Sequence, residues 1–185
     1  MPRLPYPSAV SPQVQELLDA RPPRNVFRML AHAEALMPGL MELTGAILYR
    51  AKLDPALREL AILRVGKLCG SAYEVEQHRK IAKAVGLSDE KVEGALHFSS
   101  QPIFTAKESL LLRFVDSVKR DVKAPDDLFS AVVEALGPEQ TVELLILIGT
   151  YIMLAQVLEN AGVELEGGTG PADADVARIF GKQKS

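Results

Sequence analysis

The sequence predicts an all-α protein with one main domain, built around a central antiparallel helix hairpin. From Asn25 onward, apolar residues recur every three or four positions, which is the period of a helix that buries one face. No segment shows the convincing alternation of apolar and polar residues that a half-buried strand would need. Helix start and stop signals separate the periodic segments.

Residues 1–23 form a proline-rich N-terminal arm, with proline at positions 2, 5, 7, 12, 22 and 23. Proline fixes its own backbone and favours extended segments and turns, so only one short helix is predicted in the arm, near residues 13–20. Residues 24–166 are the helical domain. The Gly-Gly-Thr-Gly-Pro run that begins residues 167–185 predicts a flexible C-terminal tail.

The domain divides into helices at recognisable boundaries. Periodic segments cover residues 26–33 and 40–48. Pro55 and Pro138 suit a first helical turn, whereas Gly86 and Gly137 suit helix ends. The later helices are predicted at residues 55–68, 72–86, 88–96, 105–121, 125–136 and 138–161.

Two segments have the form of a capping box, Ser71-x-x-Glu74 and Thr105-x-x-Glu108. In such a box the first side chain accepts a hydrogen bond from the backbone amide three residues on, and the acidic side chain bonds back. We therefore expect helices to begin at both places. A capping role is also the simplest structural explanation of Glu74.

The composition excludes several functions. A net charge of -3 and a pI near 5.7 give no basic surface for nucleic acid. The longest uncharged apolar stretch, residues 144–158, is shorter than the roughly 18–20 residues of a membrane span. We interpret it as a buried helix that is apolar on all sides and needs more cover than one small domain offers. We therefore expect a homo-oligomer and no membrane partner.

The single cysteine, Cys69, excludes an intrachain disulfide and favours a reducing compartment. The N-terminus lacks the apolar core of a signal peptide, so a cytoplasmic location is expected. No cluster of His, Cys, Asp or Glu has the spacing of a metal site. We expect neither a metal nor a cofactor.

Glu59, Glu74 and His78 form the most informative arrangement in the chain. The turn at residues 68–71 lies midway between positions 59 and 78, so two antiparallel helices would place Glu59 and His78 at the same height. Glu74 lies one helical turn before His78 and shares its face. Two carboxylates and one imidazole could thus converge, which is the outline of an acid/base site.

Three segments around this hairpin resemble the carboxymuconolactone decarboxylase and alkyl hydroperoxidase D (AhpD) superfamily. They are Arg58-Glu-Leu-Ala-Ile-Leu, Ser71-Ala-Tyr-Glu74-x-x-x-His78 and Ala82-x-x-x-Gly-Leu-Ser88. The resemblance covers roughly residues 25–164 and looks most like the single-domain members. It implies an all-helical fold, homo-oligomers that are commonly trimers or hexamers, and active sites beside subunit contacts.

The resemblance implies one of two chemistries. The peroxidase branch carries a Cys-x-x-Cys pair, and here the two cysteine positions are Ser71 and Glu74, so the dithiol cycle is lost. The decarboxylase branch lacks the cysteines and keeps acidic and histidine positions, which is closer to this chain. We expect a lyase that decarboxylates a small carboxylated lactone or related organic acid by proton transfer.

In that interpretation His78 is the general acid/base, Glu59 orients it or shares its proton, and Glu74 is a second carboxylate. Tyr73 and Ser71 are candidate substrate-binding residues. One alternative is a peroxidase in which Cys69 reacts and is recycled by an outside thiol. The other is a non-catalytic ligand-binding or scaffold protein.

Each of these residues also has a structural explanation. Glu59 could pair with Arg58 or Arg64, and His78 could be an ordinary surface residue of its helix. Cys69 could be a small buried filler at the turn.

Overall fold

The computed structural model describes residues 1–99 and 102–166, and within these ranges the chain forms eight α-helices and no strand. The all-α prediction is confirmed. The helices are α1 (Pro12–Asp19), α2 (Asn25–Leu30), α3 (Met37–Tyr49), α4 (Pro55–Leu68), α5 (Ala72–Ala84), α6 (Asp89–Leu96), α7 (Ala106–Asp121) and α8 (Asp126–Ala161). The tail predicted for residues 167–185 lies outside the described residues.

Helix α4 is the central element, and α5, α6, α7 and α8 pack around it. Its sequence carries apolar residues on nearly every face, and Leu60, Ala61, Ile62, Leu63 and Val65 are all fully buried. A helix of this kind is stable only when it is covered on all sides. The hairpin predicted from the sequence is therefore α4 and α5, with α4 at the centre of the core.

Helix α8 is broken at Gly137, as its sequence predicts. The backbone of Gly137 has φ 79° and ψ 164°, which are not helical angles, and Pro138 begins the second segment. A positive φ favours glycine because a Cβ would clash with the backbone in this region. The helices predicted at residues 125–136 and 138–161 are the two parts of α8.

One of the two predicted capping boxes is present. The Thr105 hydroxyl accepts from the Glu108 amide, and the Glu108 carboxylate accepts from the Thr105 amide. The box predicted at Ser71 and Glu74 is wrong. Ser71 stands at the N-cap of α5, but its buried Oγ has no hydrogen-bond partner, and Glu74 turns toward the core instead.

The second part of α8 buries one face and exposes another. Its inner face packs in the core, whereas Val142, Ile146 and Met153 remain exposed in the single chain. By length and composition alone α8 could cross a membrane, but core helices of soluble proteins pass the same test, and half of the relevant window is buried here. An oligomer formed through the exposed stripe stays a prediction.

The proline-rich arm packs against its own chain. Val14 of α1 is buried in the core, and the amides of Arg3 and Leu4 donate to the carbonyl of Ala161 at the end of α8. The arm therefore runs along the domain and ends beside α2. Its last residues contribute to the cavity described below.

A pair of hydroxyl deletions tests the two caps. Thr105→Ala should lower the free energy of unfolding by about 1 kcal/mol, because it removes the acceptor for the Glu108 amide. Ser71→Ala should be neutral or stabilising, because it removes a buried hydroxyl that has no partner. Urea denaturation of both variants measures the difference. Equal losses would mean that Ser71 caps α5 after all.

Candidate active site

The turn between α4 and α5 lets the two helices pack closely. Gly70 has φ 69°, in the region that favours glycine, and the Ser71 amide donates to the carbonyl of Gly66 at 2.9 Å. A Cβ on Gly66 would lie 3.2 Å from the Glu74 Cβ and 3.3 Å from a Val75 methyl. Glycine at this position therefore permits the close approach of α5, which brings His78 level with Glu59.

Glu59 is fully buried and accepts two hydrogen bonds. Its Oε1 accepts from Arg58 Nε at 2.9 Å, and its Oε2 lies 2.7 Å from His78 Nδ1. A carboxylate in the core needs such partners because its desolvation is costly. Because a carboxylate can only accept, Nδ1 donates in this hydrogen bond, and Nε2 is the ring nitrogen on the side of Glu74.

Glu74 faces the other side of the imidazole. Its Oε2 lies 3.6 Å from His78 Nε2, and the two side chains are 6% and 8% exposed. Burial raises the pKa of Glu74 to about 7, with the Glu59 charge adding to this effect and His78 opposing it. The carboxyl of Glu74 therefore titrates near neutral pH, where it can give or take a proton.

A cavity of about 610 Å³ opens beside Glu74 and His78. Its lining comes from the end of the N-terminal arm and from α2, α3, α5 and α8, and is mostly apolar. The ring of Tyr151 stands edge-on to His78, with centroids 5.0 Å apart. Glu59 does not line the cavity; His78 separates it from this space. The array thus presents one imidazole and one carboxyl group to an occupant.

A second polar group lies in the cavity wall, on the arm side of α5. The Tyr73 hydroxyl and the Gln77 amide nitrogen both donate to the carboxylate of Glu166, which follows α8. Arg24 donates to the Gln77 carbonyl oxygen. Arg24, Tyr73 and Gln77 line the cavity, so it combines an acid/base pair with a separate group of donors.

Among residues 1–99 and 102–166, no group of three or more His, Cys, Asp or Glu side chains could hold a metal ion.

The family comparison agrees with this geometry. Residues 34–117 match the model of the carboxymuconolactone decarboxylase family. This range includes α3, α4, α5 and α6 and all of α7 except the last residues of that helix. The matched segment is a little under half of the chain. The match confirms the resemblance to the carboxymuconolactone decarboxylase and AhpD superfamily that the motifs predict. No curated protein sequence matches the chain.

Three solved structures share the fold. ATU0492 from Agrobacterium tumefaciens, a protein of unknown function grouped with AhpD, has a TM-score of 0.68 and 23% identity over 74% of this chain and 97% of its own. A peroxidase-related protein with an AhpD core from Ralstonia eutropha JMP134 has a TM-score of 0.77 and 15% identity over 97% and 96%. A cysteine-to-alanine variant of the debrominase Bmp8, in complex with 2,3,4-tribromopyrrole, has a TM-score of 0.68 and 15% identity over 91% and 88%.

The structure brings together some of the predicted site residues and separates others. His78, Glu59 and Glu74 converge, and Tyr73 lines the same cavity. Ser71 is buried and is not among the residues that line the cavity, and its Oγ has no hydrogen-bond partner. It is therefore not positioned to bind a substrate there.

Cys69 also lies outside the cavity lining. It is the C-cap residue of α4 and is partly buried, and burial raises the pKa of its thiol. A raised pKa reduces the thiolate fraction at neutral pH, and the thiolate is the reactive form.

Sequence reasoning missed Arg24, Gln77, Tyr151 and Glu166. Gln77 directly precedes the predicted histidine, and Tyr151 is a polar aromatic residue within an apolar run, so each left a weak signal. Arg24 and Glu166 left none. They lie in connecting segments, and only tertiary packing brings them to α5.

The raised pKa of Glu74 predicts a pH-dependent stability. Below about pH 4.5 the carboxyl is protonated in both the folded and unfolded states. Between about pH 4.5 and 7 the unfolded state releases the proton more readily than the folded state, so the free energy of unfolding falls as the pH rises. The loss is on the order of 3 kcal/mol. Glu74→Gln should therefore be more stable than the parent above pH 7 and show a flatter pH dependence, measured by urea denaturation. The exposed Glu76, changed to Gln on the same helix, is the matched control and should leave the dependence unchanged.

Proposed function

We propose that the protein is an acid/base enzyme that decarboxylates a small carboxylated lactone or a related organic acid. The observation that carries this proposal is the buried array in which Glu59, His78 and Glu74 lead to a cavity. A carboxyl group with a pKa of about 7 is suited to proton transfer at neutral pH, because it can hold or release a proton with little bias.

Each residue of the array has a distinct role. Glu59 is a positioning residue that holds the Nδ1 proton and so directs Nε2 of His78 toward Glu74. Nε2 of His78 and the carboxyl of Glu74 stand 3.6 Å apart beside the cavity, so either group can carry the proton that goes to an occupant. A buried carboxylate that fixes the tautomer and orientation of a proton-transferring histidine is also found in the Ser-His-Asp triad.

The reaction needs one proton for each turnover. The bond between the carboxylate carbon and the ring breaks, carbon dioxide leaves, and the electron pair is delocalised into the neighbouring carbonyl. A proton from the His78 and Glu74 pair then goes to the carbanion carbon, and solvent restores it. Apolar cavity walls favour the first step, because a carboxylate loses charge as it becomes carbon dioxide.

The size of the cavity supports a small substrate. A volume of about 610 Å³ lies within the range of roughly 300–1,000 Å³ that is usual for small-molecule sites. The debrominase Bmp8, which shares the fold, holds a brominated pyrrole in its complex. A ring of similar size is the kind of occupant that we propose here.

A peroxidase based on Cys69 is the alternative. Its thiol lies outside the cavity lining, away from the acid/base site. The pKa of the thiol is also raised, which disfavours the reactive thiolate. These two observations favour the decarboxylase proposal.

Substitution of His78 and Cys69 separates these activities. His78→Gln should lower kcat for decarboxylation of carboxylated lactones by about 10²–10⁴-fold, because it removes the group that transfers the proton. Cys69→Ser should leave kcat within about twofold, since the thiol takes no part. Release of carbon dioxide measures turnover.

Opposite results would overturn the proposal. Loss of peroxide reduction in Cys69→Ser, with no lactone turnover in the parent, would establish the peroxidase. A parent that binds organic acids but turns over neither lactones nor peroxide would be a ligand-binding protein.

The pH profile provides an independent test. If Glu74 must be protonated, kcat/KM should be constant at acidic pH and fall as the pH rises through about 7. The profile of Glu76→Gln should be the same, because Glu76 is exposed to solvent on the same helix. An activity that instead rises through pH 7 would assign Glu74 as a base, against the proposed role.

A further inference from the structure

We propose that Tyr73, Gln77 and the backbone amide of Asn25 form a carboxylate-binding subsite in the cavity wall, which the chain's own Glu166 fills in this structure. The subsite would take the carboxylate of a small organic acid. The inference extends the proposed function, since it names the groups that recognise an acidic ligand, and its test does not depend on turnover.

Three donors converge on the single carboxylate of Glu166. Its Oε1 accepts from the Asn25 amide at 2.6 Å and from the Tyr73 hydroxyl, and its Oε2 accepts from the Gln77 amide nitrogen at 2.6 Å. Both oxygens are thus bound. Three donors suit a group with two acceptor oxygens, as a carboxylate has, whereas an ammonium or guanidinium group offers no acceptor to them.

The donors are held in place by bonds that do not involve Glu166. The Tyr73 hydroxyl accepts from the Val26 amide at 3.2 Å, and its side chain is buried. The carbonyl oxygen of Gln77 accepts from Arg24, so its amide nitrogen points toward Glu166. Arg24 also brings a positive charge to this part of the wall, which favours an anion.

The subsite shares a helix and a cavity with the acid/base pair. Tyr73 and Gln77 belong to α5, as do Glu74 and His78, and all four line the same cavity. Asn25 and Glu166 themselves are not among the lining residues, so an acid in the cavity would reach the donors at Tyr73 and Gln77 by displacing the Glu166 carboxylate. Without Glu166, the Tyr73 hydroxyl and the Gln77 amide would need another acceptor, because buried donors are costly to leave unpaired.

Glu166 is well placed to be exchanged for another carboxylate. It lies beyond the end of α8, and the two preceding residues, Glu164 and Leu165, are exposed. Independent bonds hold the segment upstream, since the Asn25 side chain donates to the Glu164 carbonyl at 3.0 Å and the Val163 amide donates to the Leu158 carbonyl. Release of Glu166 therefore requires no change in the helices.

Binding of benzoate, measured by isothermal titration calorimetry, tests the subsite. Glu166→Ala should tighten benzoate binding about tenfold, the factor expected if the tethered carboxylate occupies the site in nine-tenths of the molecules. Glu164→Ala is the matched control. It removes the same charge from the same segment, but the Glu164 carboxylate pairs with the N-terminal amine, so benzoate affinity should not change.

A second substitution checks the donors. Tyr73→Phe in the Glu166→Ala background should weaken benzoate binding about tenfold again, because a hydrogen bond to a carboxylate is lost. Equal tightening in Glu164→Ala and Glu166→Ala would reveal only a general charge effect and overturn the proposal. Unchanged benzoate affinity in Glu166→Ala would also overturn the proposal, because Glu166 would then only hold the end of the chain against α5.

The outcome is separable from that of the proposed function. Tight benzoate binding by Glu166→Ala, without turnover of any lactone, would support the subsite and contradict the decarboxylase. Turnover that depends on His78, with benzoate affinity unaffected by Glu166→Ala, would support the decarboxylase and contradict the subsite.

Discussion

The buried carboxylate of Glu59 is the constraint on which the site depends. A charge in the centre of the core is tolerated only with close partners, and Arg58 and His78 supply them at 2.9 and 2.7 Å. Arg58 is itself fixed, since its Nη1 donates to the Leu48 carbonyl at 2.7 Å. These contacts hold the ring of His78 in one orientation. Glu74 can act together with His78 only because that orientation places Nε2 on the side of Glu74.

This arrangement places polar groups where the fold would otherwise be most stable. Helix α4 is surrounded by four other helices, and the same helix carries the Arg58 and Glu59 pair among fully buried aliphatic residues. Apolar replacements of similar volume often stabilise such positions. Glu74 adds a further cost above neutral pH, because its buried carboxyl must lose a proton. Functional sites are where such local conflicts with stability are expected.

The two capping boxes show what a short motif can and cannot decide. Thr105-x-x-Glu108 forms the predicted box, whereas Ser71-x-x-Glu74 has an equally good pattern and does not. The difference lies outside the motif. Close packing at Gly66 and the presence of His78 draw the Glu74 side chain toward the core. A carboxyl that could have capped a helix instead faces a cavity, and its pKa rises as a result.

The sequence by itself determined the helices, the break at Gly137 and the shared height of Glu59 and His78, because these follow from local periodicity and from the length of one turn. Only the tertiary structure decided which groups surround the cavity. Arg24 and Glu166 are 142 positions apart in the chain, and no periodic pattern relates them. Their meeting at α5 depends on how the arm and the end of α8 pack across the domain, which is a property of the whole core.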